Sequence, residues 1–480
     1  TATGIDMAPF LGFIGPSYTL RSVSVDAQKS LNLFPELNEL GTGKHREIAA
    51  LVSTPGLTRI ATLEGPGRGL YAAGNGRLFA VSGSKFYEIT ITAALEYGTL
   101  SSTTGQVGMA DNGIDLLIVD GVKGYVFTFA TNTFAEITDP DFPTASFCAF
   151  MDQYLIVNEV GTRKFWLSAL ADATDWDGLD FATKEGATDE LLTLLVDHRE
   201  LWLFGRTSTE VYFDSGASDF PFERREFLEH GTAAAETPKK MDNSVFWLER
   251  DVNGKHIVFR ADGYQPRRVS THAVETAIDT YGDTSGATSY TYMSGGHSFY
   301  VLNFPNASTT WALDVSTSLW SERQSFKTGG GFGRHRAQNH AFAGGRHIVD
   351  DYEDGRLYEL KDDVYTDDGN PIIRQRRSPH LSANGKRIFY NSFQLDMEVG
   401  RGLSSGQGSD PKIMFRYSDD GGHTWSNEKW ASAGKQGKFK HRAIWRRLGS
   451  SRDRIFEVTI SDPIPVTLIS ALLDVEGARH

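Results

Sequence analysis

Seven short apolar runs recur along this chain at intervals of roughly 40 to 50 residues, and that period constrains the fold more than any other feature. They are Leu78–Val81, Leu116–Val119, Tyr154–Val157, Leu201–Phe204, Val245–Leu248, Phe299–Leu302 and His340–Gly344. Each is followed by an aromatic run: Lys85–Thr90, Gly124–Phe129, Lys164–Ser168, Glu210–Asp214, His256–Arg260, Thr309–Asp314 and Arg356–Leu360. The first repeat, Arg68–Thr90, shows the grammar. A small-residue strand Gly69–Ala73 leads to a turn at Gly74-Asn75-Gly76, then to an apolar strand, a second turn at Gly83-Ser84 and an aromatic strand. Asn-Gly between two alternating runs signals a hairpin, because both residues tolerate positive φ. One such meander cannot bury both of its faces alone, so it needs neighbours of its own kind. A period in the forties with about four strands per unit is that of propeller blades. The fold expected is all-β, a β-propeller of about seven blades with a small C-terminal β-domain.

The 480 residues exceed one ordinary core, so at least two domains are expected. The division drawn is residues 1–64 as an N-terminal arm and ring-closing strands, 65–370 as the blades, and 371–480 as a β-sandwich-like domain that either stands alone or returns a strand to the propeller. No amphipathic helix is long; the best candidate is Thr271–Asp279. There is no leader-like segment and no apolar run approaching 18 residues, so neither export by that route nor a membrane anchor is expected. The net charge of −13 argues against a conventional nucleic-acid binder, which gains affinity from cations on phosphates. It leaves room for a surface that DNA slides past, since an acidic wall repels phosphates.

Near the N-terminus, the apolar Pro9–Pro16 is expected to pack on the body or on a neighbouring copy, because exposed it would be a sticky patch. A charged, Gly-rich loop is expected over Glu39–Glu47. A series of motifs carries a resemblance: Asn32–Pro35, Thr54–Leu57, Arg68–Tyr71, Arg77–Phe79, Lys85–Glu88, then Glu210–Phe213 and Ala443–Leu448. In that order they resemble the packaged-DNA stabilisation proteins, the tail nozzle or hub subunits of short-tailed bacteriophages. The resemblance implies a virion protein of the phage tail, made in the host cytoplasm. It implies a homo-oligomeric ring, usually a hexamer, below the portal and adaptor proteins, which closes the exit channel for double-stranded DNA and carries fibres or spikes. It transfers no catalytic residues, and no enzyme activity, cofactor or metal is expected.

Several stretches between the strands invite other chemistry. Leu170–Leu192 holds seven acids and reads as a solvated loop; its spacing does not match a calcium-binding EF-hand loop. Ser215–Arg225 reads as a loop whose Phe220 and Phe222 suit packing on a neighbouring subunit. Gly329–Arg336 lacks the Gly-Lys-Ser/Thr ending of a phosphate loop and reads as a connection between blades. His335, His340 and His347 follow no zinc spacing.

A composition shift over Asp362–Pro379, acidic and then arginine-rich, marks the domain boundary, and alternation resumes from Ile388. Ser418, Asp420, Gly422, Thr424 and Trp425 match the Ser-x-Asp-x-Gly-x-Thr-Trp pattern and look like an Asp box. In such a clasp the Asp accepts turn N–H groups, the Gly takes positive φ and the Trp packs beneath. The box is frequent in sialidases, so a glycan-binding or sialidase-like propeller is the rival reading; in that family the box is structural. Lys435–Arg454 is the one strongly basic run in an acidic chain. Lys435, Lys438, Lys440, Arg442, Arg446 and Arg447 suit DNA phosphates in a channel, an acidic neighbouring subunit, or a solvated strand pair. Of the two contacts the subunit is favoured, because opposite charge fixes register between copies.

Overall fold

The computed structural model describes residues 7–37 and 49–477. The loop expected over Glu39–Glu47 and residues 1–6 of the expected N-terminal arm lie outside them. The described chain is almost wholly β, with one helix, His272–Asp279, capped by the Thr271 side chain on Val274 N–H.

Six antiparallel sheets are each built from four consecutive strands. Blade I comprises Gly67–Ala72, Leu78–Ser82, Lys85–Ile89 and Ala94–Thr99. Blades II to VI follow the same plan; their second strands are Asp115–Val119, Tyr154–Asn158, Glu200–Gly205, Ser244–Arg250 and His297–Phe304. The second strands are buried on both faces, which is why they read as unbroken apolar runs. Neighbouring blades share one core: Phe79 and Phe86 of blade I lie 5.3 and 5.4 Å from Phe127 of blade II. Tight turns join first and second strands in blades III, IV and V. Asp152-Gln153, His198-Arg199 and Asp242-Asn243 all have both residues at positive φ, which matches the twist of the flanking strands. At Asn75-Gly76 only Gly76 does, and the turn is wider than the Asn-Gly signal predicts, with Ala73 N–H on Arg77 O.

The expected count of about seven blades is corrected to six. The last repeat supplies only three strands, Ala337–Ala343, Arg346–Asp351 and Arg356–Lys361. Its fourth is Gly56–Thr62, from far back in the chain, paired along Arg356–Lys361. This composite sheet closes the ring between blade VI and blade I. The run His340–Gly344, read as the buried second strand, lies in the first; the buried one is Arg346–Asp351. Gly355 permits the closure, since a Cβ there would sit 1.9 Å from Leu63 O.

The C-terminal strands form a β-sandwich. One sheet runs Leu33–Leu37, Ala49–Ser53, Thr467–Gly477, Ile388–Met397, Ala443–Arg446. The other runs Ala27–Leu31, Arg374–Arg377, Asp453–Ile460, Lys412–Ser418, Lys429–Ser432. Three of these ten strands come from the N-terminus. Ala27–Leu31 also lies beside Leu319–Arg323, the outer strand of blade VI, so one sheet runs from propeller into sandwich. The apolar segment Pro9–Pro16 packs on its own body: Phe10 and Phe13 enter the sandwich core, Phe13 at 5.7 Å from Phe393.

Two sequence expectations for loops are overturned. Leu170–Leu192 contains Trp176–Thr183, the outer strand of blade III. Phe222 begins the outer strand of blade IV and is buried, and Phe220 packs on Phe165; both serve this chain's own core rather than a neighbouring subunit.

Candidate functional site

The Asp-box-like turn follows the strand Lys412–Ser418 in the sandwich, outside the blades. Asp420 accepts the Thr424 N–H at 2.8 and 3.0 Å, the Thr424 hydroxyl at 2.6 Å and the Ser418 hydroxyl at 2.7 Å. These donors hold its carboxyl well below the usual range, the Thr424 hydroxyl most of all. Ser418 in turn accepts the Gly422 N–H at 2.8 Å, and Gly422 has φ +95. Trp425 is half-buried, with the guanidinium groups of Arg377 and Arg416 each 4.8 Å from its ring. Both arginines pair with the fully buried Glu457. The carboxylate of Asp420 is thus spent inside its own turn, an arrangement that holds a hairpin.

Next to it, Arg454 is buried, although it falls in the basic run. It forms a bidentate pair with Asp419 at 2.6 and 2.7 Å, donates to Leu448 O, and lies over the rings of Tyr390 and Tyr417 at 4.2 and 4.0 Å. The rest of the run divides. Lys435, Lys438, Lys440, Arg446 and Arg447 are exposed. Arg442 donates to Gln394.

The sequence reading missed a set of buried arginines that tie distant segments together. Arg376 is fully buried and bonds five acceptors between residues 12 and 30, three of them the carbonyls of Gly12, Phe13 and Pro16. Burial lowers its pKa to about 9, so it stays charged at neutral pH. Arg68 in blade I donates to the carbonyls of Gly83, Ser102, Thr104 and Gly105. Arg336 in the closing sheet meets Asp351, Glu353 and Asp354 and lies 4.4 Å over Phe326. A signal was present for Arg376: alternation in Arg374-Gln375-Arg376-Arg377 puts Arg374 and Arg376 on one face, and that face is inward.

Desolvation, helped by the charges of Arg323, Arg334 and Arg336, pushes the buried His335 down to about 3. Burial pushes His340 to about 3 as well, with its Nε2 at 3.0 Å from His347 Nδ1. Among the described residues no three His, Cys, Asp or Glu side chains are placed to hold a metal ion. Gly329–Gly331 forms the tip of the hairpin Ser325–Phe326/Phe332–Gly333 between blade VI and the closing sheet. Among the described residues no helix is long and apolar enough to cross a membrane.

Comparison with solved structures finds distant likenesses. A computationally designed protein, Ika8, is 12% identical at TM-score 0.39, covering 72% of this chain and 100% of its own. The N-terminal domain of Nup159 is 12% identical at TM-score 0.40, covering 69% and 98%. The β-propeller domain of Cps50 (Swd1) from Myceliophteria thermophila is 8% identical at TM-score 0.42, covering 64% and 99%. Likenesses this distant decide nothing about the chain. No curated protein matches it. Two family models do match, in order and without overlap. Residues 26–365 match the β-propeller of bacteriophage P22 Gp10, and residues 373–476 match its β-sandwich. With both domains matched in sequence, and both present in the fold, the chain belongs to the bacteriophage P22 Gp10 family, the stabilisation or tail-nozzle proteins of phage tails.

Proposed function

We propose that this chain is a structural virion protein that forms a ring in the phage tail, a hexamer by family resemblance, below the portal and adaptor proteins. The ring extends the channel for double-stranded DNA, retains the packaged genome, and offers its outer loops to fibres or spikes. The protein is made in the host cytoplasm, has no enzymatic step and reads no DNA sequence. The observation that carries this reading is the ordered match of both domains to one structural phage family. The physical design is consistent with a mechanical part. Propeller and sandwich share N-terminal strands, and the fully buried Arg376 clamps segments more than 300 residues apart. The net charge of −13 suits a wall past which DNA moves without sticking. The sialidase-like reading gains nothing from the geometry, because the box sits in the sandwich and its Asp420 is committed to Thr424.

The test is the mass of the purified chain in solution and its shape by negative-stain imaging, with and without a portal–adaptor complex. A ring, formed alone or on that complex, supports the proposal. A monomer that ignores the complex refutes it and turns attention to sialylated glycans.

A further inference from the structure

Two exposed faces of opposite charge are left unused by the fold. The first is the loop 433–442. It joins Lys429–Ser432 to Ala443–Arg446, each the last strand of its sandwich sheet on the side away from the propeller. Lys429–Ser432 stands four strands beyond Ala27–Leu31, the strand beside blade VI; at strand spacing that is about 19 Å. The loop is stitched, not slack. Gly437 N–H bonds Gly400 O at 3.1 Å, His441 N–H bonds Lys438 O at 3.1 Å, and His441 Nε2 lies 2.9 Å from Ser432 O. It holds Phe439, 70% exposed, between Lys438 and Lys440. Neither they nor Lys435 makes an ion pair among the described residues. Asp410, which feels the charge of Lys435, is taken by Lys412 and Ser432.

The second face is the outer strand of blade III, Trp176–Thr183, paired on one side only, with Lys164–Ser168. Leu179 at its centre is 82% exposed. It lies in the bulged stretch between the paired Trp176 and Phe181, with Asp177 and Asp180 near it in sequence and Asp175 just before the strand, and none of the three makes an ion pair among the described residues. Desolvation and the charge of Asp177 raise the Asp180 pKa, so the edge repels itself. An exposed apolar side chain with unpaired charges close by in sequence suits an interface centre and its rim.

The ring of sheets sets these faces apart. The sandwich joins blade VI through Ala27–Leu31, and its strand Ala49–Ser53 runs on into Gly56–Thr62 of the closing sheet. Counted either way round, through V and IV or through I and II, blade III is the third sheet along. A basic face and an acidic face on opposite sides of one chain meet head to tail in a second copy, and such contacts close into rings when the rotation allows. We propose that the loop 433–442 docks on the outer strand of blade III of a neighbouring copy. Phe439 covers Leu179, and Lys435, Lys438 and Lys440 face Asp175, Asp177 and Asp180.

This docking rests on the ring proposed as the function, and the test separates the two. One full-length variant carries Lys435→Glu, Lys438→Glu and Lys440→Glu. The other carries Asp175→Lys, Asp177→Lys and Asp180→Lys. Mass in solution is measured for wild type, each variant and their equimolar mixture, with and without the portal–adaptor complex; circular dichroism checks folding. The expected result is that each variant alone associates at least about tenfold more weakly, while the mixture assembles, because each reversed face then meets its complement on the other variant. If both variants assemble as wild type does, the docking is refuted and the ring stands. Loss of duplex-DNA binding in the lysine variant with assembly intact refutes it too, assigning the basic face to DNA. If wild type stays monomeric on the complex, both readings fall.

Discussion

Replacing Arg376 by methionine tests whether a buried guanidinium holds the N-terminal arm. The side chain donates through Nε to Phe13 O at 2.5 Å and through Nη1 to Pro16 O at 2.9 Å and Ser30 Oγ at 3.1 Å. Nη2 reaches Gly12 O at 3.1 Å and Gln28 Oε1 at 2.7 Å. Methionine keeps most of the volume and removes every donor. Gln28 and Ser30 can turn to other partners, so the loss is counted on the three carbonyls. At about 1 kcal/mol for each buried acceptor left without a donor, the arm loses roughly 3 kcal/mol. Relief of the desolvation cost of a buried cation offsets part of this, and residual strain adds to it. About 3 kcal/mol corresponds to roughly 150-fold faster local opening. Hydrogen exchange of the wild-type and Arg376→Met proteins, followed in peptides covering residues 8–31, reads that number directly. Peptides from blades II to IV serve as the internal control, since they share no contact with the arm. Trypsin offers a second reading, because Arg21 is the only Lys or Arg before Lys29 and lies in an exposed stretch. Cleavage after Arg21 should speed up by the same factor if the bond is cut from the opened state. If the arm exchanges as slowly in the variant as in wild type, the clamp is not what holds it. The packing of Phe10 and Phe13 in the sandwich core would then be sufficient by itself.

Three further outcomes are expected. Burial pushes the carboxyls of Asp350 and Asp367 up to about 7, so the folded chain keeps protons that the unfolded chain releases near pH 4, and stability falls as pH rises across that window. Buried His335 and His340, pushed down to about 3, act with the opposite sign between about pH 3 and 6.5. Wild type should therefore be nearly flat in urea titrations from pH 4 to 6.5, Asp350→Asn should gain stability with rising pH, and His340→Gln should lose it; parallel curves would discredit the assignment. Gly355→Ala places a methyl against the Leu63 carbonyl and should cost about 1–3 kcal/mol, read as faster exchange in Gly56–Thr62 with blade III unchanged. Asp420→Ala removes the acceptor of the Thr424 clasp and should lower the melting temperature at pH 7. The difference from wild type should shrink as pH falls below 4, because the low pKa of Asp420 contributes its full stability only while the unfolded carboxyl is ionised and loses it as pH falls toward the folded value.

The sequence was most legible where strands are buried on both faces. Leu116–Val119 and Val245–Leu248 have no polar face to present, so their runs stand out, and the aromatic strands beside them fall close to the predicted positions. Outer strands were hidden for the converse reason. Thr133–Glu136 and Gln265–Arg268 are exposed over most of their length, and only pairing to the inner strand makes them strands at all. The same cause turned Trp176–Thr183 into a predicted acidic loop. Pairing at long range defeats periodicity altogether: nothing within Gly56–Thr62 says that its partner lies at Arg356–Lys361.

Charge misled in a different way. The basic run that holds Arg454 reads as surface and the arginine-rich stretch that holds Arg376 reads only as a domain boundary, because a lone arginine in a core is costly unless its donors are all met. Here the acceptors come from elsewhere in the chain, Gly12 to Ser30 for the one and chiefly Asp419 for the other, which no local pattern reveals. The consequence is thermodynamic. The sandwich holds three N-terminal strands, and the closing sheet takes its fourth strand from the same segment. Residues 8–62 therefore belong to both domains at once, and cutting the chain near residue 371 would leave neither half with a complete set of strands. A chain built this way transmits a load between propeller and sandwich through paired backbone rather than through a linker, the mechanical property that the proposed channel ring needs.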